Sequence, residues 1–211
     1  MYRATIERAE LTELLKLTAD NSAIYAALTG ADGVSEIGVH SGYSAQPRYR
    51  LIRVDHRLQK GSVDQFEIAL VDDAESSVGF YATATLLSIP ELSSRKIARH
   101  QVWRSAIIRH SLALRDISQA VLFGYILQRY DLVIAEDAVT GDGKFYWHRQ
   151  VSRVVDLGFY VYAYNPATQV LSPIPTQSAL NDVQDQIWSG TNSDHVQALI
   201  SIHPLPSQQA K

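Results

Sequence analysis

The hydrophobic period changes midway along this chain, and that change restricts the fold more than any single residue does. From Tyr49 the period is two. Leu51-Ile52-Arg53-Val54 reads as a strand, Gln65 to Leu70 alternates polar and apolar residues, and Val78 to Leu87 continues in Thr and aromatic residues after the polar turn Asp72 to Ser77. These last two runs, joined by one turn, predict an antiparallel hairpin. Pro90 ends it, and Val102 to Leu114, carrying Trp103, Ile107, Ile108, Leu112 and Leu114, predicts another long strand. Beyond Leu114 the pattern becomes helix, strand, helix, strand. Asp116 to Tyr130 is apolar on nearly every face, Leu132 to Ala135 is short and fully apolar, and Gly143 to Leu157 sets Trp147, Val151, Val154 and Val155 in a helical stripe. Gly158 stops that helix and Phe159 to Tyr164 alternates again. A hairpin-rich half feeding a crossover half predicts an α/β chain of the α+β kind, a mixed sheet flanked by helices.

The ends of the chain are read in the same way. Thr5 to Leu28 predicts one broken helix or two consecutive ones, with the break at Asp20-Asn21-Ser22 and Gly30 as the stop. Ala31 to Gln46 is long for a connector, so it is either mobile or a cover. Asn165-Pro166 turns the chain and Val170-Leu171 pairs back as a hairpin arm. Residues 1–175 are expected to form one domain with N-terminal helices. Residues 176–211 are expected to form a C-terminal extension, with a helix at Ala179 to Trp188 and a strand-like Val196 to Ile202.

Composition excludes several chemistries. None of the 211 residues is cysteine, so disulfides, thiolate metal sites and a cysteine nucleophile are ruled out. Arg3, Glu7, Arg8, Glu10 and Glu13 interrupt the N-terminal segment, and no window approaches the roughly 20 apolar residues of a membrane helix. The expectation is a cytoplasmic protein without a membrane partner. A net charge of −3 supplies no global reason to bind nucleic acid, and Arg95, Lys96, Arg99, Arg104 and Arg109 read as a solvated strand or loop. The seven histidines contain no His-x-x-x-His or Glu-x-x-His pairing, so no metal site is expected. No Gly-x-Ser-x-Gly elbow marks a serine nucleophile, and Gly141-Asp142-Gly143 lacks the Gly-Lys-Ser/Thr ending of a phosphate loop.

Two segments remain as functional candidates. One is the strand-turn-helix from Asp131 to Trp147, where Glu136 and Asp137 close an apolar run. On a strand these two acids face opposite ways; once the chain has left the strand, they instead cap the next helix. The other is Arg115-Asp116-Ile117-Ser118-Gln119-Ala120, at the entrance to the buried helix.

Element order, these two joints and the Leu157-Gly158-Phe159 passage together resemble the GNAT fold of acyl-CoA-dependent N-acyltransferases over about residues 50 to 175. In that family a turn of the form Arg/Gln-x-x-Gly-x-Gly/Ala cradles the cofactor's phosphates. Arg115 and Ala120 match it, while Ser118 stands where the middle glycine belongs. The run Leu132 to Asp137, followed by Thr140-x-x-Gly143-x-x-x-Trp147, is similar to the corresponding segment of GNAT-like proteins often encoded by phages.

The resemblance implies that acetyl-CoA is held by Arg115, Ser118, Gln119 and Ala120. It further implies a general base among Glu136, Asp137 and His110, the last placed on the central strand, and Tyr146 as general acid toward the leaving thiolate. The acceptor would be an amine on a small molecule or a protein. Each residue also has a structural reading: helix capping for the acids, hydrogen-bonded packing for His110, core or rim aromatic for Tyr146. The alternative function is a non-catalytic interaction protein on the same scaffold, a phage accessory or virion protein, with a homo-oligomer or virion partner and a place in the host cytoplasm or the virion.

Overall fold

The computed structural model describes residues 13–58, 64–135, 143–166, 168, 170–189 and 197–206. Along them run α1 (Thr18–Thr29), β1 (Val34–Glu36), β2 (Tyr49–Asp55), β3 (Asp64–Asp72), β4 (Ser77–Leu87) and β5 (Ile97–Arg104). A helix here called α2 follows, built from Ile117–Gln119, a π-helical stretch Ala120–Ile126 and Leu127–Arg129. Then come β6 (Asp131–Ile134), α3 (Gly143–Asp156), β7 (Tyr160–Asn165), β8 (Val170–Pro173), α4 (Gln177–Ser189) and β9 (Gln197–Ser201). The class is mixed α/β, as the change of period predicts. Two compact units divide the chain: residues 1–86 with 100–125, and residues 87–99 with 126–211.

In the first unit the strand order is β1-β2-β3-β4-β5, with antiparallel ladders joining β1 to β2, β2 to β3 and β3 to β4. The β2–β3 register sets Tyr49 against Asp72 and Ile52 against Ala69. Alternation then places Ile52, Val54, Ala69 and Val71 on one face, where they pack with Ile24 and Leu28 of α1 and with Leu15, Val78, Tyr81 and Trp103. The other face is buried as well: Phe66, Ile68, Leu70 and Phe80 are sealed from solvent. Strand β3 is thus buried on both faces from Phe66 on, although Gln65 to Leu70 alternates polar and apolar residues. On this face the Arg53 guanidinium lies 4.0 Å above the Phe66 ring and 6.0 Å from that of Tyr125 in α2.

The N-terminal break falls at Leu17, not at Asp20-Asn21-Ser22. Asn21 does not turn the chain because its side chain is used elsewhere. Its amide donates to the carbonyls of Leu15 (2.9 Å) and Val78 (3.2 Å) and accepts from the Val78 N–H (2.6 Å), pinning α1 to the start of β4. The Ala31 to Gln46 connector is not structureless. It contains β1 and a 3₁₀ turn, Val39–Ser41, and the Ser41 carbonyl approaches Gly124 so closely that a Cβ there would lie 2.2 Å from the oxygen.

In the second unit the order is β5-β6-β9-β7-β8. Here β5 and β6 run parallel, and their ladder is three residues long, Ile97–Arg99 against Asp131–Val133. Strand β9 inserts between β6 and β7, antiparallel to both, so residues expected to form an appendage supply an interior strand. Its Leu199 joins Leu92, Ile97, Val133, Tyr162, Tyr164 and Leu171 in one core. Asp131, fully buried, accepts from Ser93 Oγ at 2.5 Å and from Arg95 at 2.9 Å, while Arg95 also donates to the Leu127 carbonyl at the end of α2. One guanidinium thus satisfies a helix terminus and a strand entrance together.

Candidate functional site

Strand β5 stops at Arg104, so the long strand expected from Val102 to Leu114 ends after its first three residues. Ser105 N–H still donates to the Gly79 carbonyl at 2.9 Å, and then the chain coils through a 3₁₀ turn, Ile108–His110, and successive turns to Asp116. Burial explains why. Ile107, Ile108 and Leu112 are 45, 88 and 56% exposed, while His110, Ala113, Leu114 and Ile117 are buried. That spacing of three and four is helical and incompatible with a strand. His110 therefore lies on a turn and not on the central strand, and it comes to the sheet through a coil.

Around His110 the first unit assembles a buried polar group. Its Nδ1 lies 3.1 Å from Tyr49 Oη and 4.0 Å from Asp72 Oδ2, and its Nε2 is 3.5 Å from Arg109 Nε. The ring meets Tyr49 edge-on at 5.9 Å and rests on Gly79, where a Cβ would touch it at 3.4 Å. Tyr49 Oη also lies 3.3 Å from the Arg109 carbonyl. Asp72, with no exposed surface, is gripped by both ends of the Arg48 guanidinium, one bond being 3.0 Å.

Burial raises the Asp72 carboxyl, but the hydrogen bonds and charge of Arg48 with the Ala74 and Glu75 amides outweigh it, leaving the group below the usual carboxylate range. Burial and then the Arg109 charge hold His110 below the ordinary imidazole value. The turn is tied a second time by Tyr43, whose hydroxyl donates to the Ala113 carbonyl at 2.5 Å and whose pKa burial pushes up to about 12.

The predicted cofactor turn follows directly. Arg115 is exposed and its N–H donates to the Leu112 carbonyl at 3.2 Å. Asp116 takes the left-handed conformation, φ 57°, two residues before Ser118. Ser118, Gln119 and Ala120 are half-buried in the first turn of α2, where the Ala120 N–H donates to the Asp116 carbonyl at 3.0 Å. The dihedral freedom of the family's glycine is thus needed at Asp116, not at Ser118; at Ser118 only close approach by a ligand would favour glycine. Arg115, Ser118, Gln119 and Ala120 occupy one helix entrance, and the turn carrying His110 leads into it.

The remaining candidates belong to the second unit or lie beyond description. Tyr146 is half-buried on α3 beside Trp147, whose buried indole N–H has no hydrogen-bond partner among the described residues, nor does His148 Nε2. Glu136, Asp137 and Thr140 lie outside the described residues.

Two polar groups escaped the sequence reading. Tyr49, Asp72 and Arg48 meet His110 only through strand register, which no linear spacing encodes. The fully buried Glu67 accepts from Tyr81 Oη at 2.5 Å and from Arg57 at 2.8 Å; its sequence signal is a lone acid within the apolar run of β3. Burial and then the Glu67 charge drive the Tyr81 hydroxyl well above its ordinary value.

Among the described residues, no three His, Cys, Asp or Glu side chains are grouped to hold a metal ion, and no helix is long and apolar enough to cross a membrane. Compared with protein-family models, with curated proteins and with solved structures, the chain matches none.

Proposed function

We propose that this chain is an N-acyltransferase of the GNAT kind, moving an acetyl or similar acyl group from a CoA thioester to an amine. The observation that carries the reading is the crossover from β5 through α2 to β6. The two strands are parallel, with Ile97–Arg99 laddered to Asp131–Val133, and the helix lies between them in sequence. In a GNAT-type mechanism a thioester carbonyl is held by a backbone amide where two such strands part, and the phosphates sit at the entrance of the helix between them. Here that entrance is Arg115 to Ala120.

Within this reading Arg115 contributes positive charge to the cofactor's phosphates, and Ser118, Gln119 and Ala120 line the approach. His110, enclosed by Tyr49, Arg109 and Gly79, holds the turn and does not meet the acceptor.

A thermal shift tests the reading: a ligand at 100 times its dissociation constant stabilises the folded state by about 2.7 kcal/mol. Acetyl-CoA is expected to raise the melting temperature, and an unchanged melt at millimolar acetyl-CoA counts against acyl transfer. The second reading, a non-catalytic interaction protein, is favoured by one observation, the exposure of Ile108 and Leu112 on the same turn. It predicts that Ile108→Ser leaves the melt unchanged and abolishes association with a partner.

A further inference from the structure

The coil from Ile107 to Arg115 has an outward face as regular as its buried one. His110, Ala113 and Leu114 turn inward, while Ile108, Ser111, Leu112 and Arg115 are exposed, the last three following Ile108 by three, four and seven residues. Backbone bonds hold this helical order: the Ser111 N–H donates to the Ile108 carbonyl at 3.0 Å and the Leu114 N–H to the His110 carbonyl at 2.8 Å. Burial on one side thus fixes an aliphatic stripe on the other. Among the described residues, the two most exposed large apolar side chains are Val39, at 94%, and Ile108, at 88%. They stand on turns that Tyr43 joins, its N–H bonding the Gly38 carbonyl at 2.9 Å and its hydroxyl the Ala113 carbonyl at 2.5 Å.

The same coil is basic. Arg104 at its start, Arg109 and Arg115 are all exposed, Arg104 donating to the neutral Leu114 carbonyl at 3.0 Å. Two acids stand against these three arginines, Asp116 and Glu75, the latter 3.7 Å from Arg109. The local balance is positive in a chain whose net charge is −3.

We propose that this coil docks on an anionic lipid surface, with Ile108 and Leu112 entering the apolar boundary and the arginines meeting the headgroups.

A fluid layer suits side chains that project this far, because it needs no shaped pocket to receive them. The alternatives fit less well. Protein interfaces are anchored mainly by aromatic residues and single strands of nucleic acid stack on them, whereas the apolar members of this stripe are aliphatic. A second copy of the chain would set arginine against arginine. A few aliphatic side chains give only weak adsorption, so attraction between the arginines and acidic headgroups is a necessary share of the contact. Such docking is peripheral and requires no membrane-crossing helix, and it departs from the expectation of a chain without a membrane partner. It does not rest on acyl transfer, since Ile108 and Leu112 have no part in the proposed cofactor entrance.

Co-sedimentation of the full chain with phosphatidylcholine vesicles, with and without phosphatidylglycerol, tests the contact. Binding is expected only where phosphatidylglycerol is present, and it should fall as salt is raised toward about 0.5 M. Ile108→Ser and Leu112→Ser replace exposed side chains, so each should leave the melt unchanged and weaken binding by about tenfold, the share of one aliphatic group withdrawn from the apolar boundary. No sedimentation with anionic vesicles, equal binding to neutral ones, or full binding by the variant carrying both substitutions overturns the proposal. A chain that ignores the vesicles yet dimerises through Ile108, as sedimentation equilibrium would show, assigns the stripe to a second copy and overturns it as well. Titration with acetyl-CoA decides the acyltransferase reading separately, whichever way the vesicles answer.

Discussion

Gly124→Ala is the sharpest test of how α2 is seated against the loop that carries Ser41. Gly124 lies inside the π-helical stretch of α2, and the Ser41 carbonyl occupies the space a side chain would need. A Cβ at this position would lie 2.2 Å from that oxygen, 3.0 Å from its carbon and 3.5 Å from the Ser41 Cα. All three atoms are backbone, so relief requires the loop and helix to part by roughly 1 Å, a change in the range where overpacking costs about 1–3 kcal/mol. Backbone-on-backbone contact places this substitution near the upper end, and the better helix propensity of Ala offsets about 1 kcal/mol. The net is a loss of about 2 kcal/mol, or a melting temperature lower by roughly 4–8 °C for a chain of this size.

Urea unfolding and thermal melts measure it, with Gly42→Ala as the control. Gly42 also sits in this loop, at φ 68°, but a Cβ there meets nothing within 4 Å, so its cost is confined to about 1–2 kcal/mol of left-handed strain. A Gly124→Ala protein as stable as wild type would refute the seating of Ser41 on the helix, and with it the account of the Ala31 to Gln46 segment as a brace.

Asn21→Ala removes three hydrogen bonds and leaves both backbone groups of Val78 without this partner; a loss of about 2–4 kcal/mol is expected in urea unfolding, and a loss under about 1 kcal/mol would contradict the pinning of α1. Asp131→Asn should cost about 3–5 kcal/mol because it strands Arg95 in a largely buried site, whereas Arg95→Met with Asp131→Leu together should recover part of that loss in a double-mutant cycle. Asp72 and Asp73 both have folded-state pKa values below their ordinary range, Asp73 through its hydrogen bonds from Arg50 and Asp72 through Arg48 and backbone amides against its burial. Their contribution is present above the unfolded carboxylate range and is lost as pH falls through the folded values. Unfolding free energy should decline below about pH 4, and Arg48→Met should flatten the decline.

The strands and their order of appearance were legible because alternation survives burial on one face, as at Ile52, Val54, Ala69 and Val71. The stretch after Trp103 conceals its helical turns for a physical reason. Ile107, Ile108 and Leu112 are apolar but exposed, and counting them as core hid the buried series His110, Ala113, Leu114 and Ile117, which has helical spacing. Asn21 looked like a turn residue because its local chemistry allows one, and only the distant Val78 shows why it stays in a helix. The insertion of β9 between β6 and β7 depends on pairings far apart in sequence, so the C-terminal residues read as an appendage. Of the candidate site, the sequence located the Arg115 to Ala120 entrance but not its support. Arg48, Tyr49 and Asp72 reach His110 from two neighbouring strands and their flanks, and nothing in their local sequence announces the meeting.

Isothermal titration of the folded chain with acetyl-CoA tests the central claim most directly. The account predicts saturable binding of one molecule per chain, weakened at least roughly tenfold by Arg115→Ala and strengthened by Ser118→Gly, which opens the helix entrance to closer approach of the phosphates. A folded wild-type protein that releases no heat with millimolar acetyl-CoA, and whose Ser118→Gly variant is equally silent, would contradict it.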